Sequence, residues 1–260
     1  MVKLRKYNRF YTQFIVAFSV FLLISCSGNK YYNSKIEGKL IPVTAQSGDV
    51  TAIDDFIKPY REHINNELNS VLAYAPETLD KSKGEWQTTI GNLMADMTFE
   101  IVNPVFLSRE KKNIDICLLN HGGIRAILPK GDVTTRTAYE IMPFENSVVV
   151  VELKGTEIRE MANYILKEKK PHPLNGLKIV ADKNTMAVKS LTVNGKPLED
   201  SKTYYIATSD YLSNGGDNMN FFKKTEKTYD MEYKLRNVLI DYFKKTDTIP
   251  VIKTSRIILE

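Results

Sequence analysis

Two short apolar runs, Ile114-Asp115-Ile116-Cys117-Leu118-Leu119 and Val148-Val149-Val150-Val151-Glu152-Leu153, constrain this chain most. Their composition is that of buried strands. Segments with helical spacing lie between and around them. From Asp54, apolar residues fall at Phe56, Ile57, Tyr60, Ile64 and Leu68, with Pro59 in the expected first turn and a switch to strand near Val71. Ile90, Leu93, Met94, Met97 and Ile101 mark a second helix that Asn103-Pro104 is expected to stop. Gly155-Thr156 opens a third, with Ile158, Met161, Ala162 and Ile165 inward, and Met231 to Phe243 reads as the last. Lys189 to Val193, Asn194-Gly195 and Tyr204 to Thr208 look like a hairpin arm and its returning strand. Arg256 to Leu259 is a closing strand, and Leu40 to Val43 a weak first one. Strands interleaved with helices, plus hairpin signals, predict a mixed α/β (α+β) fold rather than a pure parallel sheet.

The first 25 residues stand apart. Lys3, Arg5, Lys6 and Arg9, with no acid, precede an apolar run from Phe14 to Ile24. At about eleven residues the run matches a signal-peptide core and falls short of a membrane span. It ends in Leu23-Ile24-Ser25-Cys26, which resembles the lipobox of bacterial lipoproteins. On that reading residues 1–25 are a lipoprotein signal peptide, Cys26 is the lipidated residue, 26–49 is a tether, and 50–260 is one domain. Acyl chains contribute about 0.8 kcal/mol per buried methylene, so several would hold the protein on a bacterial membrane, facing the periplasm or the cell surface. The chain has 36 basic and 31 acidic residues. Setting aside the four leader cations leaves the remainder near neutral, which excludes a basic nucleic-acid binder.

The chemical inventory is sparse. Two cysteines make no disulfide scaffold, and Cys117 reads as a small core residue. The three histidines, His63, His121 and His172, show no paired spacing, so no metal site is expected on this chain. His63 and His172 read as surface and loop residues; His121, beside a glycine pair, is a possible ligand contact.

Three segments offer binding chemistry. Asn120-His121-Gly122-Gly123-Ile124-Arg125 follows a buried strand directly. Glycines there let backbone approach a ligand, while Asn120 and Arg125 offer an amide and a cationic fork. Met142-Pro143-Phe144-Glu145-Asn146 places an aromatic ring and an amide two apart before a strand. Asp210-Tyr211-Leu212-Ser213-Asn214-Gly215-Gly216-Asp217 repeats the strand-to-glycine-turn arrangement.

In order and spacing these segments, with Gly91-Asn92-Leu93-Met94-Ala95-Asp96 upstream, resemble the C-terminal domain of 5'-nucleotidases across most of residues 50–260. The resemblance implies a layered α/β sandwich that recognises a nucleotide. Phe144 and Tyr211 would clamp the base, Asn146 and Asp217 would meet its edge or the ribose, and Asn120 and Arg125 would hold ribose and phosphate. It departs in one place: family members often carry Arg-Glu six and five residues before the Asn of the Gly-Asn pair, where this chain has Trp86 and Gln87. One phosphate cation is therefore missing. The Asp-x-His and Gly-Asn-His-Glu motifs of the family's metal-bearing catalytic domain are absent from the sequence as well. This implies no catalytic residue and no cofactor here, with divalent metals expected only in a separate metallophosphoesterase chain. The expected function is the recognition subunit of a split 5'-nucleotidase, or alternatively a nucleotide- or nucleoside-binding lipoprotein without catalysis. The lipobox makes one direct prediction: Cys26→Ser moves the protein from the membrane fraction to the soluble fraction. Unchanged membrane partitioning of the variant would refute the anchor.

Overall fold

A computed structural model describes residues 3–24, 31–44, 47–48 and 50–260; Cys26 lies outside them. The chain divides into two compact units, residues 1–54 and 55–260. In the first, helix α1 (Lys3–Ile24) covers the basic and apolar leader. Among the described residues no helix is long and apolar enough to cross a membrane. The weak strand expected over Leu40 to Val43 does not form. These residues have no regular structure; Leu40 is 96% exposed, and among the described residues no strand pairs with it.

Helix α2 (Thr51–Leu68) leads from the first unit into the second, followed by β1 (Val71–Ala75), α3 (Thr89–Glu110), β2 (Ile116–Leu118), β3 (Gly131–Thr134), α4 (Thr135–Ile141), β4 (Ser147–Lys154) and α5 (Gly155–Glu168). Then come β5 (Leu174–Asn175), β6 (Leu177–Ala181), β7 (Val188–Val193), β8 (Lys196–Pro197), β9 (Thr203–Ser209), α6 (Asp210–Ser213), β10 (Thr228–Lys234), α7 (Leu235–Lys245) and β11 (Ile257–Leu259). A five-stranded sheet runs β10-β4-β9-β2-β5, a four-stranded sheet β11-β6-β7-β8, and β1 pairs with β3. The mixed α/β class and the layered sandwich are both as the sequence implies.

The apolar runs are strands with two dry faces. Alternate residues point to opposite sides of a strand. Val148 and Val150 of β4 and Cys117 of β2 enter a core with α3 and α7, while Val149, Val151, Ile116 and Leu118 enter a second core with α5 and the smaller sheet. Burial pushes the Cys117 thiol pKa up, so it is an inert core group.

Several boundaries differ from the sequence reading, each for a tertiary reason. Helix α3 runs through Pro104 instead of stopping at Asn103-Pro104. An interior proline costs about 3 kcal/mol, and the completely buried Val102 and Phe106 on either side of it offset that cost. Asn103 accepts the Ile114 N–H through Oδ1 at 2.7 Å, which ties the helix to the chain entering β2. Pro59 lies inside α2, not in its first turn. The expected helix from Met231 begins only at Leu235. Met231 is buried in β10, and Met231, Leu235, Val238 and Leu239 imitate a helical repeat across a strand–helix junction. Finally, β7 turns through Asn194 and Gly195, both at positive φ, into β8. The Tyr204 to Thr208 strand, β9, lies in the other sheet and is not the return arm of β7.

The Gly91-to-Asp96 segment is structural. Thr88 caps α3 by accepting the Gly91 N–H at 3.0 Å. Asn92 donates to the carbonyls of Ile252 and Thr254, and Asp96 takes a two-pronged pair from Arg256, both contacts at 2.6 Å. Gln87 accepts the Arg256 and Ile257 N–H groups and donates to the Ile257 carbonyl, while Trp86 is buried in the second core. Of the residues at the two positions where the resembled family often carries Arg-Glu, Gln87 thus holds the closing strand and Trp86 fills the core. Because breaking a buried ion pair strands its partner, Asp96→Ala should lower unfolding free energy by about 3 kcal/mol, the low end for such pairs, since Asp96 keeps some contact with water. A urea-denaturation loss below about 1 kcal/mol would mean that Arg256 is solvated in the fold.

Candidate functional site

Strands β4, β9 and β2 are neighbours; β9 and β2 run parallel, and β4 runs against them. The C-terminal ends of β2 and β9 and the N-terminal end of β4 therefore meet at one edge of the sheet. Asn120, Asp210 and Asn146 stand at those three ends, so topology alone brings together segments far apart in sequence.

After β2 the chain makes a single 3₁₀ turn over His121–Gly123. A side chain at Gly123 would place its Cβ 2.8 Å from Asn120 Oδ1, so glycine lets the Asn120 amide fold over the turn. The Arg125 N–H donates to the Ile141 carbonyl at 2.8 Å, and the guanidinium lies 5.9 Å from the centroid of the Phe144 ring.

The Pro143-to-Asn146 loop is pinned from behind. Glu145 pairs with the buried Arg236, whose guanidinium stacks 4.1 Å over the Tyr139 ring. Hydrogen bonding to Arg236 holds the Glu145 carboxyl below its usual pKa. The Glu145 carbonyl accepts Lys234 Nζ at 2.8 Å, and that of Asn146 accepts the Leu235 N–H at 2.9 Å. Phe144 remains 41% exposed.

After β9, Ser209 caps the one-turn helix α6 by accepting the Leu212 N–H at 3.2 Å. Gly215 and then Asp217 take left-handed backbone conformations. A Cβ at Gly216 would sit 2.5 Å from the Tyr211 ring, so the ring lies flush on that glycine. Tyr211 is 46% exposed and its hydroxyl donates to Asp217 Oδ1 at 2.9 Å. Asn120 Nδ2 donates to Asp217 Oδ2 at 2.8 Å, and the Tyr164 hydroxyl to the Asp217 carbonyl at 2.6 Å.

Asn120, Arg125, Phe144, Asn146, Tyr211 and Asp217 all line one cavity of about 410 Å³, with Gly122 and Gly123. A shallower groove of about 520 Å³ continues past Tyr211 and Asn146 towards Asp210 and Asn214. The cavity offers two ring faces, two amides, a cation, and a carboxylate with lone pairs left after its two internal bonds. Such walls suit a flat, partly polar ligand bearing hydroxyls or an anionic group. Among the described residues no group of three or more His, Cys, Asp or Glu side chains is placed to hold a metal ion. Trp86, Gln87 and His121 do not line the cavity.

The residue that local patterns miss is His172. It lies in a loop, as its flanking prolines suggest, but is only 4% exposed. Its Nδ1 accepts the His121 N–H at 3.3 Å, and its ring packs against Tyr164. It thus backs both the Asn120 turn and the residue that holds Asp217. The partner 51 positions away gives no signal in the sequence around Pro171-His172-Pro173.

A family model of 5'-nucleotidase C-terminal domains matches residues 71–224. An apyrase of Tabanus yao is 24% identical over 80% of this chain, and a 5'-nucleotidase of Vibrio vulnificus 25% identical over 70%. A cell wall protein of Listeria monocytogenes is 25% identical over 68%. The chain spans only 41%, 32% and 24% of those proteins, respectively. The solved 5'-nucleotidase precursor of Thermus thermophilus has the same fold over 80% of this chain and 43% of its own, with a TM-score of 0.67 at 24% identity.

Burial lowers the His172 pKa to about 4 from an ordinary 6.5, so the folded protein keeps the ring neutral while the unfolded chain protonates it below pH 6.5. Stability from this group is therefore complete above about pH 6.5, drains as the pH falls, and is gone below about pH 4. The loss amounts to about 3 kcal/mol. His172→Asn, which keeps an acceptor for the His121 N–H, should lose that slope. Denaturation at pH 7.5, 5.5 and 4.5 checks this, and equal slopes in both proteins would refute it.

Proposed function

Because this chain belongs to the family of 5'-nucleotidase C-terminal domains, we propose that it binds a nucleotide at the cavity beside Phe144 and Tyr211, as the recognition subunit of a split 5'-nucleotidase. The observation that carries this reading is the gathering of all six expected residues around one cavity. The base stacks between Phe144 and Tyr211, a contact worth about 1–3 kcal/mol per ring and tolerant of base identity. Asp217, oriented by Asn120 and the Tyr211 hydroxyl, accepts hydrogen bonds from ribose hydroxyls or a base amine, and Asn146 meets the edge of the base. Arg125 draws the phosphate side of the ligand by charge, an attraction that salt weakens.

A separate metallophosphoesterase chain supplies the divalent metals and the attacking water in this reading. Here the protein's own contribution is to orient the nucleotide, turning a two-body encounter into a positioned one. The lipobox adds a location outside the cytoplasm, held to the bacterial membrane through Cys26, and one relative is described as a cell wall protein. The second reading is a nucleotide- or nucleoside-binding lipoprotein with no catalytic partner. It is favoured by Trp86 serving the core where the family often has a phosphate cation.

Calorimetric titration of the purified chain with a panel of nucleosides and nucleotides tests the proposal. Phe144→Ala and Tyr211→Ala should each weaken binding by about 1–3 kcal/mol, and the double variant by less than the sum. Melting temperatures should stay near the parent's, since both rings are substantially exposed. Unchanged affinity in folded variants would remove the clamp. The chain alone with Mn²⁺ or Zn²⁺ should release no phosphate from AMP above background; chelator-sensitive turnover would overturn the split.

A further inference from the structure

The groove of about 520 Å³ begins where the nucleotide cavity ends. The two share Asn146 and Tyr211, while Arg125 lines only the cavity, and Asp210 and Asn214 only the groove. A flat ligand stacked on Tyr211 therefore has open space beyond the edge that meets Asn146. The Asn146 carbonyl accepts the Leu235 N–H, but its side-chain amide has no partner among the described residues. Asp210 Oδ1 accepts the Tyr211 N–H at 2.8 Å, and no cation among the described residues pairs with this carboxylate. Asn214 Nδ2 donates to the Asp210 carbonyl at 2.8 Å, which leaves Asn214 Oδ1 as an acceptor. Gly215 and Gly216 supply a floor without side chains. Lys223 lies across Gly215 but does not line the groove.

We propose that this groove is a second subsite, for a substituent carried on the edge of the base, and that it favours a substituent with hydrogen-bond donors or positive charge. The inference rests on the clamp reading above and extends its ligand class to nucleosides and nucleotides enlarged at an exocyclic nitrogen. The charges of the two walls select this chemistry. Arg125 is the one cation lining the cavity, and Asp210 is the one charged side chain lining the groove. A ligand that spans both is anionic at the Arg125 end and donor-bearing or cationic at the Asp210 end. An anionic substituent would instead meet the unpaired oxygens of Asp210 and Asn214, which repel it or offer it no donor. The free Asn146 amide can both donate to and accept from the base edge, so it reads that edge at the boundary between the two spaces. The glycine floor leaves the path past it clear, and a longer substituent enters the groove without disturbing the stack on Tyr211.

Calorimetric titration of the purified chain compares adenosine with three analogues that differ only in an aminohexyl, hexyl or carboxypentyl group on the exocyclic nitrogen. The aminohexyl and hexyl analogues should bind within about threefold of adenosine or tighter. The aminohexyl analogue should bind about three- to fivefold tighter than the hexyl one, the size expected of an exposed charge pair. The carboxypentyl analogue should be the weakest of the three. This order should vanish in Asp210→Asn, which keeps Oδ1 for the Tyr211 N–H, and should flatten in the parent at about 0.5 M salt. Each ratio is taken within one protein, so a general loss of affinity in the variant cancels, and the salt series decides the matter if the variant does not fold. Analogues all weaker than adenosine by more than about threefold, equal affinity for the three, or an order that survives Asp210→Asn or high salt overturns the proposal. If adenosine itself does not bind, the clamp falls and the subsite with it; adenosine binding without the expected order removes the subsite alone.

Discussion

Burial of both faces of the five-stranded sheet is the constraint on which the other features depend. Strands β4, β9 and β2 have no wet side, so their polar chemistry is confined to their ends. The parallel pairing of β2 with β9, and the antiparallel pairing of β4 with β9, then gather three of those ends at one edge. A cavity forms there because the flanking layers stop and the loops begin. Ligand sites of mixed sheets recur at such edges for the same reason: the scaffold is rigid and the loops carry the chemistry.

Within that edge, Asp217 is the joint. Its carboxylate takes Tyr211 from its own loop and Asn120 from the loop after β2, while its carbonyl takes Tyr164 from α5. The left-handed backbone at Asp217 allows one residue to face all three. Behind it, His172 and the Glu145–Arg236 pair brace the other two loops. The cavity wall is thus held by hydrogen bonds from several elements, which limits how far any one loop can relax.

Helix α2 shows the opposite economy. Its amphipathic pattern is as clear as that of α5, yet α5 buries its stripe in the second core and α2 buries nothing.

The sequence carries the fold class, the two central strands and the glycine turns in local signals, because apolar runs and glycine pairs are read without knowing their partners; the six side chains that line the cavity are named by the resemblance to the family. It also marked Cys117 as core. Tertiary structure alone decided where α3 ends, that Met231 is strand, and that β7 and β9 lie in different sheets. Packing outweighs propensity at Pro104, and a four-residue spacing across a junction cannot be told from a helix turn. The roles of His172, Arg236 and Arg256 were equally invisible, since each is defined by partners 51 to 160 positions away. Contacts between distant segments exist only once the sheet has set its strand order, and no local pattern encodes that order.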